Sequence, residues 1–273
     1  MRVVIDSNQL RSDVLRAYLS KATSNFAVLT DYAAMEAYKG DTLTSIYKSM
    51  AVLCDFPRQV IVLKGTRAIC GLRGRSAGLQ RRLIDEKQTT DFPTYVQHLH
   101  QAQKGSRHIQ EQLLDLGREA TSHLNQMLED AEIMGLAIDD IATLYSKDEC
   151  RAIRLGETYP SALVDKTIKN ILYIAGKCFR DHPNATSIPR YSELPNTYIF
   201  RVALCTYLLA LDWGARSRAK DANPGRLRND LVDMNFAAYA TYFDNLMSAD
   251  RKVLRIHNEA RVWLKTLFGC RLP

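Results

Sequence analysis

The β-branched run Val3-Val4-Ile5, ended abruptly by Asp6, constrains the fold of this chain more than any other stretch. Three apolar residues in a row, all branched at Cβ, read as a strand buried on both faces; a half-exposed strand would alternate with polar residues. A similar run returns at Val60-Ile61-Val62-Leu63, and Ala27-Val28-Leu29-Thr30 forms a shorter one between them. Helical patterns fill the gaps. The first is expected over about residues 9–20, with Asp6 or Ser7 as a candidate cap. The second is expected to start with Asp31 as its N-cap and to carry Ala33, Ala34, Met35 and Glu36. The third covers 42–54, with Leu43, Ile46, Tyr47, Met50 and Leu53 at helical spacing and Phe56-Pro57 as its stop. Strands interleaved with helices in this way predict an α/β fold with a small, mainly parallel sheet flanked by helices.

After Leu63 the chain becomes basic and pliant: Lys64, Arg67, Arg73, Arg75, Arg81 and Arg82 are interleaved with Gly65, Gly71, Gly74 and Gly78. Such a segment is either a solvated loop or an arm for a polyanion, and the net charge of +7 favours a polyanionic partner. From about 92 to 178 the pattern is helical without a repeat, and Asp139-Asp140 reads as a polar break between helices. His98 and His100 are two apart and do not share a helix face, so they do not read as metal ligands. Residues 180–195, with Pro183, Pro189 and Pro195, read as a loop. Residues 198–213 are apolar nearly all round, which predicts a helix buried on two sides, ended by the polar segment 217–224. A last amphipathic helix is expected over 253–267. Six scattered cysteines form no C-x-x-C pair, which points to reduced, mostly buried thiols. With a strand expected from Arg2 and no long apolar stretch, neither a leader nor a membrane span is expected, and the setting read from this is cytoplasmic.

Four acids then occupy related places. Asp6 follows a strand, and Asp250 follows the short apolar run Leu246-Met247 and Ser248. Glu36 and Asp233 sit on helices beside small residues, with Asp230 one turn before Asp233 near the start of a helix expected over 231–241. In a parallel sheet, strand ends and helix starts gather above one edge. Carboxylates brought together there repel and hold protons unless a cation joins them. Oxygen ligands select hard ions such as Mg²⁺ or Mn²⁺, which activate water and stabilise charge developing on a phosphodiester.

These stretches resemble the PIN domain superfamily of metal-dependent ribonucleases, which includes the toxin endoribonucleases of bacterial toxin–antitoxin pairs. Val4-Ile5-Asp6-Ser7-Asn8 resembles its first motif, and Asp31-Tyr32-Ala33-Ala34-Met35-Glu36 its second. Asp233-Met234-Asn235-Phe236-Ala237-Ala238-Tyr239-Ala240 resembles the third. Leu246-Met247-Ser248-Ala249-Asp250 resembles the fourth, with Ser248 in place of the commoner Thr. The resemblance implies a three-layer fold, with Asp6, Glu36, Asp233 and Asp250 as catalytic acids that bind Mg²⁺ or Mn²⁺. Asp230 would be a ligand in place of Asp233 or beside it, and Asn8 and Ser248 would support the ligands. It covers about 1–63 and 196–267; the chain between Glu36 and Asp233 is far longer than small members need. A discontinuous domain of 1–65 and 196–273 with a helical insertion over 66–195 is therefore expected. The implied activity is an endoribonuclease whose Arg67, Arg73, Arg75, Arg81 and Arg82 contact the RNA backbone. A structure-specific DNA nuclease and a catalytically silent nucleic-acid-binding module are the alternatives. An inhibitory partner protein and self-association are left open by the sequence.

Overall fold

The computed structural model describes residues 1–39, 42–183, 188–215 and 224–269, with backbone alone for 127–140, 142 and 224. Its centre is a four-stranded sheet of β1 (Arg2–Ile5), β2 (Phe26–Leu29), β3 (Val60–Val62) and β4 (Asn245–Met247). The order is β3-β2-β1-β4 and every pairing is parallel, with Val4 opposite both Val28 and Leu246, and Val28 opposite Ile61. The branched runs end up here because a parallel sheet is covered on both faces, and Val3, Val4, Ile5, Val28, Val60 and Ile61 are all buried. Parallel strands also place all their carboxyl ends on one edge. The Asp6 amide continues the ladder by donating to the Met247 carbonyl at 3.0 Å, so the segments after β1 and β4 leave the sheet side by side.

Helix starts follow the best available cap, which moves two of them from their expected places. Asp6 caps only a short 3-10 turn, Ser7–Gln9, and Ser12 then caps α1 (Asp13–Lys21) by accepting from the Leu15 amide at 3.0 Å. Thr30, not Asp31, caps α2 (Asp31–Tyr38), accepting from the Ala33 amide at 3.1 Å. The Asp31 carboxylate is thereby freed to accept from the Thr66 amide and hydroxyl at 2.6 and 2.9 Å. Helix α3 (Leu43–Asp55) buries Ile46, Met50 and Leu53 as its spacing predicts.

The basic segment is not a free loop. It contains the short helices α4 (Thr66–Cys70) and α5 (Leu79–Leu83), and Arg82 donates to the carbonyls of Arg73, at 2.7 Å, and Arg75. Gly74 is pressed against Glu193 and its carbonyl accepts from Asn196 Nδ2 at 3.0 Å. A Cβ on Gly74 would lie 2.7 Å from the Glu193 backbone oxygen, closer than atoms approach. Gly74→Ala should therefore cost about 1–3 kcal/mol in urea unfolding through forced backbone movement; a neutral substitution would show that this contact is not held in solution.

Helices α6 (Glu86–Gln103), α7 (Arg107–Thr143), α8 (Lys147–Leu155) and α9 (Ser161–Asp181) follow. The expected break at Asp139-Asp140 is absent: α7 runs through it, and the chain turns only before Ser146, whose capping box with Glu149 starts α8. The apolar stretch becomes α10 (Tyr198–Ala215), which by length and composition could cross a membrane, yet 83% of that span is buried inside the fold. The expected polar stop at 217–224 lies, up to residue 223, outside the described residues. Helix α11 (Pro224–Ala240) begins earlier than expected, so Asp230 and Asp233 sit well inside it and not at its start. Proline suits that early start because its missing N–H is unneeded in a first turn. Asp250 caps α12 (Arg251–Phe268), its carboxylate accepting from the Lys252 amide at 2.7 Å.

Helix α11 packs on β1 and β4, α12 on β4, and α6 on β3. One contiguous apolar cluster joins Val4 and Val28 of the sheet to Leu204, Phe236, Leu113 and Ile171, so the helices between 86 and 181 share the core of the sheet. His257 of α12 is also fully buried. Burial, helped by the nearby Arg261 charge, lowers its pKa to about 4. The unfolded chain, with an ordinary histidine pKa near ~6.5, binds a proton that the folded chain refuses, so this contribution is intact above about 6.5 and lost as pH falls towards 4. Between pH 7.5 and 5, His257→Leu should lose about 2 kcal/mol less stability than the parent chain by urea unfolding. Parallel acid profiles for the two chains would remove His257 as the cause.

Candidate acidic site

Asp6, Glu36, Asp230, Asp233 and Asp250 line one cavity of about 330 Å³ at the carboxyl edge of the sheet. Four separate segments supply them: the end of β1, helix α2, the interior of α11, and the turn between β4 and α12. Ser7, Asn8, Lys39, Arg226 and Asn229 complete most of the wall.

The two strand-end acids are fixed by hydrogen bonds between adjacent turns. Ser248 Oγ donates to Asp6 Oδ2 at 2.5 Å and accepts from the Asp250 amide at 3.0 Å. Asn8 Nδ2 donates to the same Asp6 oxygen at 2.6 Å, and its Oδ1 accepts from the Ala249 amide at 3.0 Å. Asn8 and Ser248 therefore lock the two turns together. Asp6 is almost fully enclosed, and burial raises its pKa although these donors pull it down.

The helix acids are held differently. Glu36 accepts from Lys39 Nζ at 2.7 Å, just past the end of α2, with Ser7 Oγ 3.4 Å away. Asp230 is buried and forms an ion pair with Lys252, while its second oxygen, Oδ2, is buried without a hydrogen-bond partner among the described residues. Asp233 carries the largest electrostatic burden. Burial first, and then the charges of Asp6, Asp230 and Asp250 against the partial relief of Lys252, raise its pKa to about 8. Spacing leaves open whether Asp230 or Asp233 would face a metal ion. Both line the cavity, but Asp230 has a cation beside it, whereas the surroundings of Asp233 push its pKa up.

As placed, no three Asp, Glu, His or Cys side chains among the described residues stand close enough to grip a metal ion between them. The donor set nevertheless suits a hard cation. The acids offer only oxygen, one buried carboxylate oxygen lacks a partner among the described residues, and the mutual repulsion would be relieved by positive charge.

The basic arm does not line this cavity. Gln80 of α5 donates to the Tyr242 carbonyl at 2.6 Å and accepts from Arg2 at 3.1 Å, both at the amino ends of β4 and β1. Arg81 lines a separate cavity of about 760 Å³ there with Gln80, Tyr191 and Phe268, and pairs with Glu86. Arg82 is committed to carbonyls within the arm. Arg67, Arg73 and Arg75 are exposed on the arm and also absent from the acidic wall. The cations at the acids are instead Lys39, Arg226 and Lys252, which the sequence reading missed. Lys39 had a readable signal, three residues after Glu36 and just past the end of its helix; Lys252 reaches Asp230 only through the packing of α12 on α11.

A second feature ties the halves of the site together. Thr66 Oγ1, which donates to Asp31, is 2.7 Å from the Tyr239 hydroxyl. Tyr239 stacks on Tyr198, whose hydroxyl donates to Asn235 at 2.6 Å. Buried polar contacts thus run from the first turn of α2, the Glu36 helix, to α11, which carries Asp230 and Asp233.

No protein-family model matches the chain, and searches of curated proteins and of solved structures likewise return no match.

Proposed function

We propose that this chain is a Mg²⁺- or Mn²⁺-dependent nuclease with a PIN-like, three-layer core, and that it hydrolyses RNA phosphodiester bonds. The observation that carries the reading is the meeting of five carboxylates from four distant segments in one cavity, at the edge of a parallel sheet where ligands bind. A structural role does not require so many carboxylates in one cavity. Asp6, Glu36, Asp233 and Asp250 would hold the ion, assisted by Asp230. Bound there, a divalent ion lowers the pKa of a water ligand and offsets charge on the phosphodiester. The chain's own residues do the positioning: Ser248 and Asn8 aim Asp6, and the Lys39 and Arg226 side chains on the wall attract the phosphate backbone. These two cations take over, at the cavity, the part first given to the arm arginines.

The reading is tested by incubating the chain with matched RNA and DNA strands in Mn²⁺, Mg²⁺ or EDTA. Cleavage of RNA that requires the ion is expected. Cleavage of DNA alone would favour the structure-specific DNA nuclease, and binding without metal-dependent turnover would favour the silent module.

A further inference from the structure

A third cavity lies on the other side of α2 from the acids. It holds about 690 Å³, within the range of small-ligand sites (roughly 300–1,000 Å³). Leu29 and Val62, at the carboxyl ends of β2 and β3, contribute to its wall, with α2, α6 and α7 around them. Helix α2 is the partition: Glu36 lines the acidic cavity, and its neighbours Met35 and Tyr38 line this one.

The wall is aromatic and mostly apolar. The Tyr38 and Tyr95 hydroxyls are 2.5 Å apart, and the Phe92 and Tyr95 rings pack with centroids at 5.4 Å, so the rings are held in place. The charge is the unexpected part. On a chain of net charge +7, this cavity is bordered by Asp31, Asp91 and Glu119, with His123 as its basic side chain and no lysine or arginine among the described residues on its wall. Asp31 is spent on Thr66, but Asp91 and Glu119 are exposed and have no ion-pair partner among the described residues. Aromatic faces and carboxylates both favour a cation, and an apolar body would fill the space between the rings.

We propose that this cavity binds an organic cation with an aromatic-sized apolar body, the body against Tyr38, Phe92 and Tyr95 and the charge at Asp91 and Glu119. A phosphate-bearing or carboxylate ligand is disfavoured by the same groups. The site stands on its own cavity and does not depend on the nuclease reading.

The test is calorimetric titration of the full chain at low salt with three probes of one shape: 1-naphthylmethylamine, 1-naphthylmethanol and 1-naphthoate. The ammonium should bind at least about tenfold more tightly than the alcohol, and the carboxylate weakest. The double substitution Asp91→Asn and Glu119→Gln, at two exposed positions, should remove the preference for the ammonium and leave binding of the alcohol. Leu116→Arg, at a half-exposed residue on the wall, should abolish ammonium binding by placing a guanidinium in the mouth. Equal affinity for amine and alcohol, no saturable binding of the amine, or a preference that survives the double substitution would each overturn the proposal.

Discussion

Asp6→Asn should abolish ion-dependent RNA cleavage, by at least about a hundredfold, while leaving the fold intact. The asymmetry follows from the environment of the residue. Asp6 is nearly fully enclosed, and its raised pKa means that the fold disfavours its charge. A neutral side chain of the same shape removes that penalty and can keep a carbonyl oxygen for Ser248 and Asn8. The melting temperature should therefore stay within a few degrees of the parent, or rise, while affinity for Mn²⁺ falls. Asp250→Asn is the companion variant, because asparagine caps a helix as well as aspartate does and α12 should keep its start. Full activity in both folded variants would remove the acidic cavity from the chemistry.

Lys252→Met should produce the other large effect, and one that depends on the ion. Lys252 and Asp230 form a pair with only 18% and 7% of their side chains exposed. Removing the ammonium leaves the Asp230 carboxylate enclosed without its counter-ion, and breaking such a pair typically costs about 3–5 kcal/mol, somewhat less here because Lys252 retains some water. In EDTA, chemical unfolding should show a loss of about 2–3 kcal/mol, and the further change Asp230→Asn should recover most of it. In saturating Mn²⁺ the deficit should shrink, since a ligand of the folded state stabilises it by mass action. The same variant should bind Mn²⁺ more tightly than the parent. An equal deficit with and without Mn²⁺ would mean that Lys252 does not stand where a divalent cation would act.

Much of the sheet was legible because its signals are local. A run of β-branched residues has few other places to go, and Val3-Val4-Ile5 and Val60-Ile61-Val62 are both strands, with Asp6 at the carboxyl edge as a residue after a strand must be. Helix starts were less legible because adjacent residues compete to cap. Thr30 won over Asp31, and Ser12 took α1 from Asp6 and Ser7. The acids could be listed as candidates from their places beside strands and small residues, but their distance in the chain carried no information about their distance in space.

The sequence by itself determined that this chain builds a small parallel sheet among helices and that its strand-end acids share one edge. That followed from patterns a few residues long, each read against backbone geometry. Only the tertiary structure decided which charges face which. It carried the arginines at 81 and 82 away from the acids, brought Lys252 to Asp230, and hung a carboxylate-rimmed aromatic cavity on the far side of the Glu36 helix. The physical reason is that electrostatic partners are set by the packing of one helix against another, and packing depends on the whole core at once.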